Sequence, residues 1–157
     1  MKVKNISWNS FNNHINKLAE KIKKSGKKYD LIIGIARGGL IPAVALSHIL
    51  NIPMGVHTVK SYYGKNKKPP QSDVYVSTTF RINMHTKILL VDELVDSGDS
   101  IKESSERLKK LDSDIKSMDI AVLYYKENSC VKPDYFVKKF KSDVWLYFPW
   151  ENKETYN

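Results

Sequence analysis

Two neighbouring carboxylates, Asp92 and Glu93, follow the apolar run at residues 88–91. Carboxylates accept hydrogen bonds from vicinal hydroxyl groups and also hold hydrated magnesium. A short loop with two serines and a glycine comes next, at residues 96–100, and it opens a segment with helical spacing. Backbone N–H groups at the start of a helix converge on an anion, and serine hydroxyls add further donors. Diol-binding carboxylates followed by a monophosphate cradle predict a site for ribose 5-phosphate.

A purely structural role is the simplest alternative for this loop. Asp96 or Ser97 would then only cap the following helix, because aspartate and serine are favoured at that position. Capping accounts for one of these residues, but it does not explain why Asp92 and Glu93 stand at the end of a strand.

A second candidate anion site lies at Arg37, Gly38 and Gly39, close behind the isoleucine-rich run at residues 31–35. Glycines allow the backbone to approach an anion closely, and an arginine guanidinium offers fixed donors to phosphate oxygens. Gly-Gly pairs are also common in ordinary turns. This loop is therefore evidence for an anion site only in combination with the carboxylates Asp92 and Glu93.

These candidate residues belong to a chain that alternates strands and helices. Apolar runs and helical spacing predict strands at 31–35, 53–61, 74–82, 87–91, 120–125 and 135–137, helices at 7–25, 40–50 and 100–111, and a polar loop at 64–72. Alternation of this kind is typical of an α/β fold with a mainly parallel, twisted sheet flanked by helices. Such sheets bind ligands beyond the carboxyl ends of their strands, so the loops after Ile35, Val91 and Tyr125 are expected to form the site.

Residues 88–100 resemble the binding motif of type I phosphoribosyltransferases, in which a hydrophobic strand precedes two acidic residues, two apolar residues and Asp-Thr-Gly-x-Thr. Serine replaces threonine at two positions, and both serines keep the hydroxyl. The resemblance implies the type I fold with a small C-terminal hood, phosphoribosyl pyrophosphate as a substrate and Mg2+ as the cofactor. It assigns Asp92 and Glu93 to the ribose hydroxyls and the metal, and Asp96 to proton acceptance. The 5-phosphate is expected to bind at Asp96, Ser97, Gly98, Asp99 and Ser100, with the Asp99 carboxylate pointing outward.

Two further segments match the same family in the expected order. The loop with Arg37 and Gly38 resembles the pyrophosphate-binding loop, whose first peptide is often cis in relatives. Ser61 and Tyr62 resemble the start of the flexible lid of the purine enzymes, which would cover about residues 62–79 here.

The C-terminal part resembles the base-binding hood of xanthine-guanine phosphoribosyltransferase and its archaeal purine relatives. In those enzymes an aromatic residue at the position of Trp145 stacks on the purine, and a lysine at the position of Lys126 binds the 6-oxo group; Leu146 is expected to join them. Lysine only donates hydrogen bonds, so it suits the carbonyl of guanine, hypoxanthine or xanthine and mismatches the amino group of adenine. Trp150 is expected to pack rather than bind. Residues 127–128 differ from the bacterial xanthine-guanine pattern, which leaves the choice of base open.

Composition favours one domain over residues 1–157, with the hood at about 126–157. The 157 residues include one cysteine, Cys130, carry a net charge of +9 and contain no apolar run near the roughly 20 residues of a membrane helix. A cytoplasmic homodimer or homotetramer is expected, with most lysines on a solvated surface and no nucleic-acid partner. Two alternatives stay open: a regulator on the same fold that binds nucleotide and RNA or DNA, and a generic nucleotide-binding module, although no P-loop is present.

Overall fold

The computed structural model describes residues 2–58, 86–111 and 113–151. Ten elements occur in these ranges: β1 Lys2–Asn5, α1 Trp8–Lys24, β2 Leu31–Ala36, α2 Leu40–Leu50, β3 Met54–Thr58, β4 Thr86–Val95, α3 Asp99–Leu111, β5 Ile115–Lys126, β6 Tyr135–Phe140 and β7 Val144–Tyr147. The predicted strand at 74–82, the polar loop at 64–72 and the lid at about 62–79 lie outside the described residues.

Five strands form a parallel sheet in the order β3-β2-β4-β5-β6. The central strands β2 and β4 are apolar along most of their length because helices cover both faces of a parallel sheet. One core cluster contains the buried residues of α1 and α2, and a second cluster on the other face contains those of α3. The predicted α/β architecture with a mainly parallel sheet is confirmed.

A second, two-stranded sheet joins β1 to β7 in parallel. No local pattern predicts β1, because its four residues are all exposed and carry no apolar alternation. Its order comes from pairing with a distant segment: the backbone N–H of Lys2 donates to the carbonyl of Asp143, and that of Ile6 to the carbonyl of Tyr147, at 2.9 and 2.8 Å. The N-terminus thereby holds the hood segment in place.

The prediction that the strand before the acidic pair ends at Val91 was wrong, because β4 continues to Val95. Carboxylates disfavour strands locally, but the ladder to β5 goes on beyond them, with Asp92 opposite Val122 and Val95 opposite Tyr125. The acidic pair therefore sits on a rigid strand rather than on a loop.

Candidate active site

The turn from β2 into α2 forms the first wall of the site. The peptide between Ala36 and Arg37 is cis, and Arg37 is exposed. A Cβ atom added at Gly39 would lie 2.6 Å from the carbonyl oxygen of Ile35 and 2.7 Å from that of Val91. Because both contacts are with backbone, this turn can pack between β2 and β4 only with glycine at position 39.

The turn also touches the acidic pair directly. A Cβ atom added at Gly38 would overlap the carboxylate of Glu93, so the Gly38 backbone packs directly against this carboxylate. By the family resemblance, Gly38 is expected to bind pyrophosphate, and Glu93 is expected to bind the ribose hydroxyls and magnesium. Their contact places these two assigned functions side by side.

Asp92 and Glu93 differ in their surroundings. Asp92 is buried, and its Oδ1 accepts a hydrogen bond from the backbone N–H of Glu93 at 2.9 Å. Burial raises the pKa of Asp92 well above its usual range, and the neighbouring Glu93 charge raises it further. Glu93 Oε2 is also buried and accepts no hydrogen bond from any described residue.

A buried carboxylate oxygen without a partner is costly unless a cation or a donor reaches it. The donor set at this point suits magnesium, which takes one or two protein carboxylates and completes its shell with water and substrate oxygens. Within the described ranges no cluster of three or more His, Cys, Asp or Glu residues is suited to hold a metal ion. The buried Glu93 Oε2, which has no partner among the described residues, is the observation that fits such a metal.

The residues predicted to bind the purine lie next to Asp96, the predicted proton acceptor. Lys126 closes β5, and its Nζ donates to Asp96 Oδ2 over 3.0 Å. The same Nζ lies 5.8 Å from the centroid of the Trp145 ring. The Lys126 side chain is 6% exposed, whereas that of Asp96 is 46% exposed. A buried cation, an open carboxylate and an indole ring thus converge from β5, the loop after β4, and β7.

The predicted phosphate loop lies where β4 gives way to α3. Gly98 has φ of +97°, a conformation that favours glycine. Ser97 Oγ donates to Asp99 Oδ2 at 2.7 Å, and both residues are exposed. The backbone N–H groups in the first turn of α3 have no partner within the helix, as at every helix start. Ser100 is partly exposed at the same end.

The other predicted residues have mixed placements. Leu146 is buried in the core, so any contact with a base would come from its backbone rather than its side chain. As predicted, Trp150 packs against aromatic rings, and its ring centroid lies 4.9 Å from that of Phe148 and 5.5 Å from that of Phe11. Ser61 and Tyr62 lie outside the described residues.

Two features beside the site were not expected from the sequence. Glu151 Oε2 accepts from the backbone N–H of Phe148 at 2.8 Å, and burial, with the Glu93 charge, raises the pKa of Glu151. An acidic residue directly after the aromatic hood segment was the available signal. The other feature is the turn at Ser129–Val131, which contacts Ser97 and which no sequence pattern indicated.

Together, these residues define an α/β protein with a site at the carboxyl edge of its parallel sheet. The site suits a phosphorylated sugar and a planar ring compound. Residues 7–156 match the family model described as the phosphoribosyl transferase domain. The chain therefore belongs to the phosphoribosyltransferase family, as the resemblance predicted.

Similar proteins agree with this assignment. A xanthine-guanine phosphoribosyltransferase from Idiomarina loihiensis is 30% identical over 146 residues, which are 93% of this chain and 85% of that protein. The crystal structure of a purine phosphoribosyltransferase from Pyrococcus horikoshii superposes with a TM-score of 0.77 at 36% identity, covering 97% of this chain and 96% of that one. A Neisseria gonorrhoeae protein solved with bound ppGpp gives a TM-score of 0.78 at 27% identity, over 98% of this chain and 91% of that one. None of the described helices is long and apolar enough to cross a membrane.

Proposed function

We propose that this protein transfers 5-phosphoribose from phosphoribosyl pyrophosphate to N9 of a 6-oxopurine, which gives a nucleoside monophosphate and pyrophosphate. The observation that carries this proposal is the convergence of Lys126, Asp96 and Trp145 beside the loop that opens α3. The purine enzymes among the similar proteins support the choice of base class.

The three predicted binding regions follow the order of the chemical groups in the sugar donor. The loop with Arg37 and Gly38 would meet the pyrophosphate, the acidic pair would meet the ribose hydroxyls, and residues 96–100 would meet the 5-phosphate. Since Gly38 touches Glu93 and since Asp96 follows Glu93 closely on the chain, these three regions are contiguous. The donor would lie across these three regions.

In the reaction, N9 of the purine forms a bond to C1 of the sugar while the bond from C1 to the pyrophosphate oxygen breaks. Such displacements pass through an oxocarbenium-like state, as in glycoside chemistry. Asp96 would accept the proton that the purine loses, by contact on its N7 side. Lys126 would donate to the 6-oxo group, and the indole of Trp145 would stack on the ring, an interaction worth about 1–3 kcal/mol per base.

Charge on the departing pyrophosphate has to be neutralised. Magnesium, held through Asp92 and Glu93, would supply that neutralisation when bound. Arg37 is exposed next to Gly38 and would add donors to the same phosphate oxygens. The lid at about residues 62–79, which begins near Ser61 and Tyr62, is proposed to exclude water that would otherwise hydrolyse the donor.

One experiment tests this function. The purified protein is incubated with phosphoribosyl pyrophosphate, Mg2+ and one base at a time, and the products are separated by chromatography. Nucleoside monophosphate is expected with at least one of guanine, hypoxanthine and xanthine, and much less with adenine. No product with any base, from protein shown to be folded, would contradict the proposal.

A regulator on the same fold is the second candidate, and the ppGpp bound to the Neisseria gonorrhoeae protein is the observation that favours it. A regulator would bind a guanine nucleotide without turnover and would bind RNA with a strong dependence on salt. Absence of turnover together with salt-dependent RNA binding in a shift assay would select this candidate.

The uncharged helix α2 supports a homodimer. None of its eleven residues is Lys, Arg, Asp or Glu, and Val44 at its surface is 46% exposed. Each copy carries a net charge of +9. Two copies therefore repel each other least when they pack with the uncharged α2 surface of one copy against the same surface of the other. Val44 and His48 are exposed on this face, and Ile41 and Ala45, which are partly buried against the core, lie beside them at helical spacing. We place the assembly in the cytoplasm, since its one cysteine suits a reducing compartment.

A further inference from the structure

The turn at Ser129–Val131 packs against the back of the predicted phosphate loop. We propose that this turn, with Ser129 as its organising residue, positions the loop for the 5-phosphate. The inference rests on the proposed function, because it assigns a role to residues that touch the loop and not the substrate.

The carbonyl oxygen of Ser97 is the point of attachment. It accepts a hydrogen bond from the backbone N–H of Cys130 at 2.8 Å, and Ser129 Oγ lies 3.3 Å from it. In a trans peptide the C=O and the following N–H point in opposite directions. Fixing the Ser97 carbonyl on the turn therefore aims the N–H of Gly98 away from the turn, into the space where the phosphate is expected.

The contact leaves no spare room. A Cβ atom added at Gly98 would lie 2.9 Å from Cys130 Sγ, 2.9 Å from Ser129 Oγ and 3.0 Å from the backbone nitrogen of Val131. The turn therefore approaches the loop as closely as a glycine permits, and a shift of the turn has to be transmitted to Gly98.

Ser129 holds the turn in shape. Its Oγ accepts from the backbone N–H of Val131 at 3.1 Å and lies 2.9 Å from the carbonyl oxygen of the same residue. Its backbone N–H donates to the carbonyl of Lys126 at 3.1 Å. Since Lys126 also binds Asp96, the segment from 126 to 131 contacts the loop after β4 at two points. Position 129 thus links the base-binding lysine to the phosphate loop.

The test compares Ser129→Ala with Ser129→Thr, which restores the hydroxyl, by calorimetric binding of guanosine 5′-monophosphate and of guanosine. Ser129→Ala is expected to weaken the nucleotide about 10-fold, the size of one lost hydrogen bond, and to leave guanosine unchanged. Ser129→Thr should recover most of the nucleotide affinity. Ser47→Ala is the matched control. Ser47 lies on α2, and its Oγ also donates to a backbone carbonyl, that of Ile52, at 2.5 Å.

A second pair of variants tests the backbone contact itself. Cys130→Pro removes the N–H that binds the Ser97 carbonyl, whereas Cys130→Ala keeps it. The proline variant is expected to lose nucleotide affinity selectively, and the alanine variant to match the wild type. If the proline variant does not fold, the result with Ser129→Ala still decides.

The outcomes separate the two proposals. If Ser129→Ala loses affinity equally for the nucleotide and for guanosine, or loses affinity for neither, the positioning role is wrong. The proposed function would still hold in that case, provided that the wild type turns over its substrates. A wild type that binds no guanosine 5′-monophosphate and makes no nucleotide would instead count against the proposed function.

Discussion

Lys126 and Asp96 form an ion pair across the carboxyl ends of β4 and β5, with 3.0 Å between Nζ and Oδ2. The lysine is nearly buried and the carboxylate is half-exposed, so the lysine is the fixed partner and the carboxylate faces the open site. A purine that places its 6-oxo group and N7 at this pair meets a donor and an acceptor at once.

Removing the proposed proton acceptor should slow the reaction without weakening donor binding. Asp96→Asn keeps the size and polarity of the side chain but accepts no proton, and it is expected to lower kcat about 10²–10⁴-fold. The dissociation constant for phosphoribosyl pyrophosphate should change little. Steady-state kinetics together with direct binding measure both quantities, and an unchanged kcat would remove Asp96 from the mechanism.

The base preference should depend on Lys126. A site built around a polar match can reject the wrong partner by about 10⁴-fold; because the site is partly open, we expect about 10²-fold in favour of guanine or hypoxanthine over adenine. Lys126→Ala should reduce the use of the 6-oxopurines and narrow this ratio, with little change in donor affinity. Equal kcat/KM for adenine and guanine in the wild type would refute the assignment.

The contact between Gly38 and Glu93 should make the position of the Glu93 carboxylate sensitive to a side chain at position 38. Gly38→Ala places a Cβ atom on the Glu93 carboxylate, so either the carboxylate or the loop has to move. A displacement of about 1 Å near reacting groups can cost about 10²-fold, and kcat/KM for the sugar donor is expected to fall by that order. Gly55→Ala is the matched control, since nothing lies within 4 Å of the added atom.

Two buried histidines should make the fold sensitive to acid. Burial lowers the pKa of His57 from its ordinary value of 6.5, the Arg107 charge lowers it further, and Glu103 opposes this in part. Burial likewise lowers the pKa of His14, which hydrogen-bonds Tyr124. Because the unfolded chain binds these protons more readily, stability is complete above pH 6.5 and falls as the pH drops toward the folded pKa values.

The free energy of unfolding should therefore decrease below pH 6.5, by at most about 1.4 kcal/mol per pH unit for each histidine. Denaturant unfolding at several pH values measures this slope. His57→Gln is expected to flatten this slope relative to the wild type. The same slope in this variant and in the wild type would show that His57 does not contribute.

Charge placed on the face of α2 should separate the proposed dimer. Val44→Lys puts two like charges at the centre of a twofold contact, and light scattering is expected to show a shift toward the monomer. Leu111→Lys is the control, because Leu111 is also an exposed apolar residue, 60% accessible, but lies at the end of α3. A wild type that is monomeric at all concentrations would contradict the dimer.

The helices and the identity of the central strands could be read from local patterns. The predicted helix at 40–50 coincides with α2, and the predicted helix at 7–25 contains α1 with Ser7 as its cap, whose side chain accepts from the Ser10 N–H at 3.1 Å. Both results follow from spacing within a few residues, which is how a helix is stabilised. The motif at 88–100 is local in the same sense.

Local patterns in the sequence were therefore enough to predict a fold class, a family and the residue types of the site. Which of these residues touch follows from the folded chain, in which Lys126 contacts Asp96, Gly38 contacts Glu93, and the turn at Ser129–Val131 contacts Ser97. The same holds for β1, which forms only because β7 lies beside it. Contacts between residues far apart on the chain depend on strand order and register, and in this sheet both are set jointly by segments that are distant in sequence.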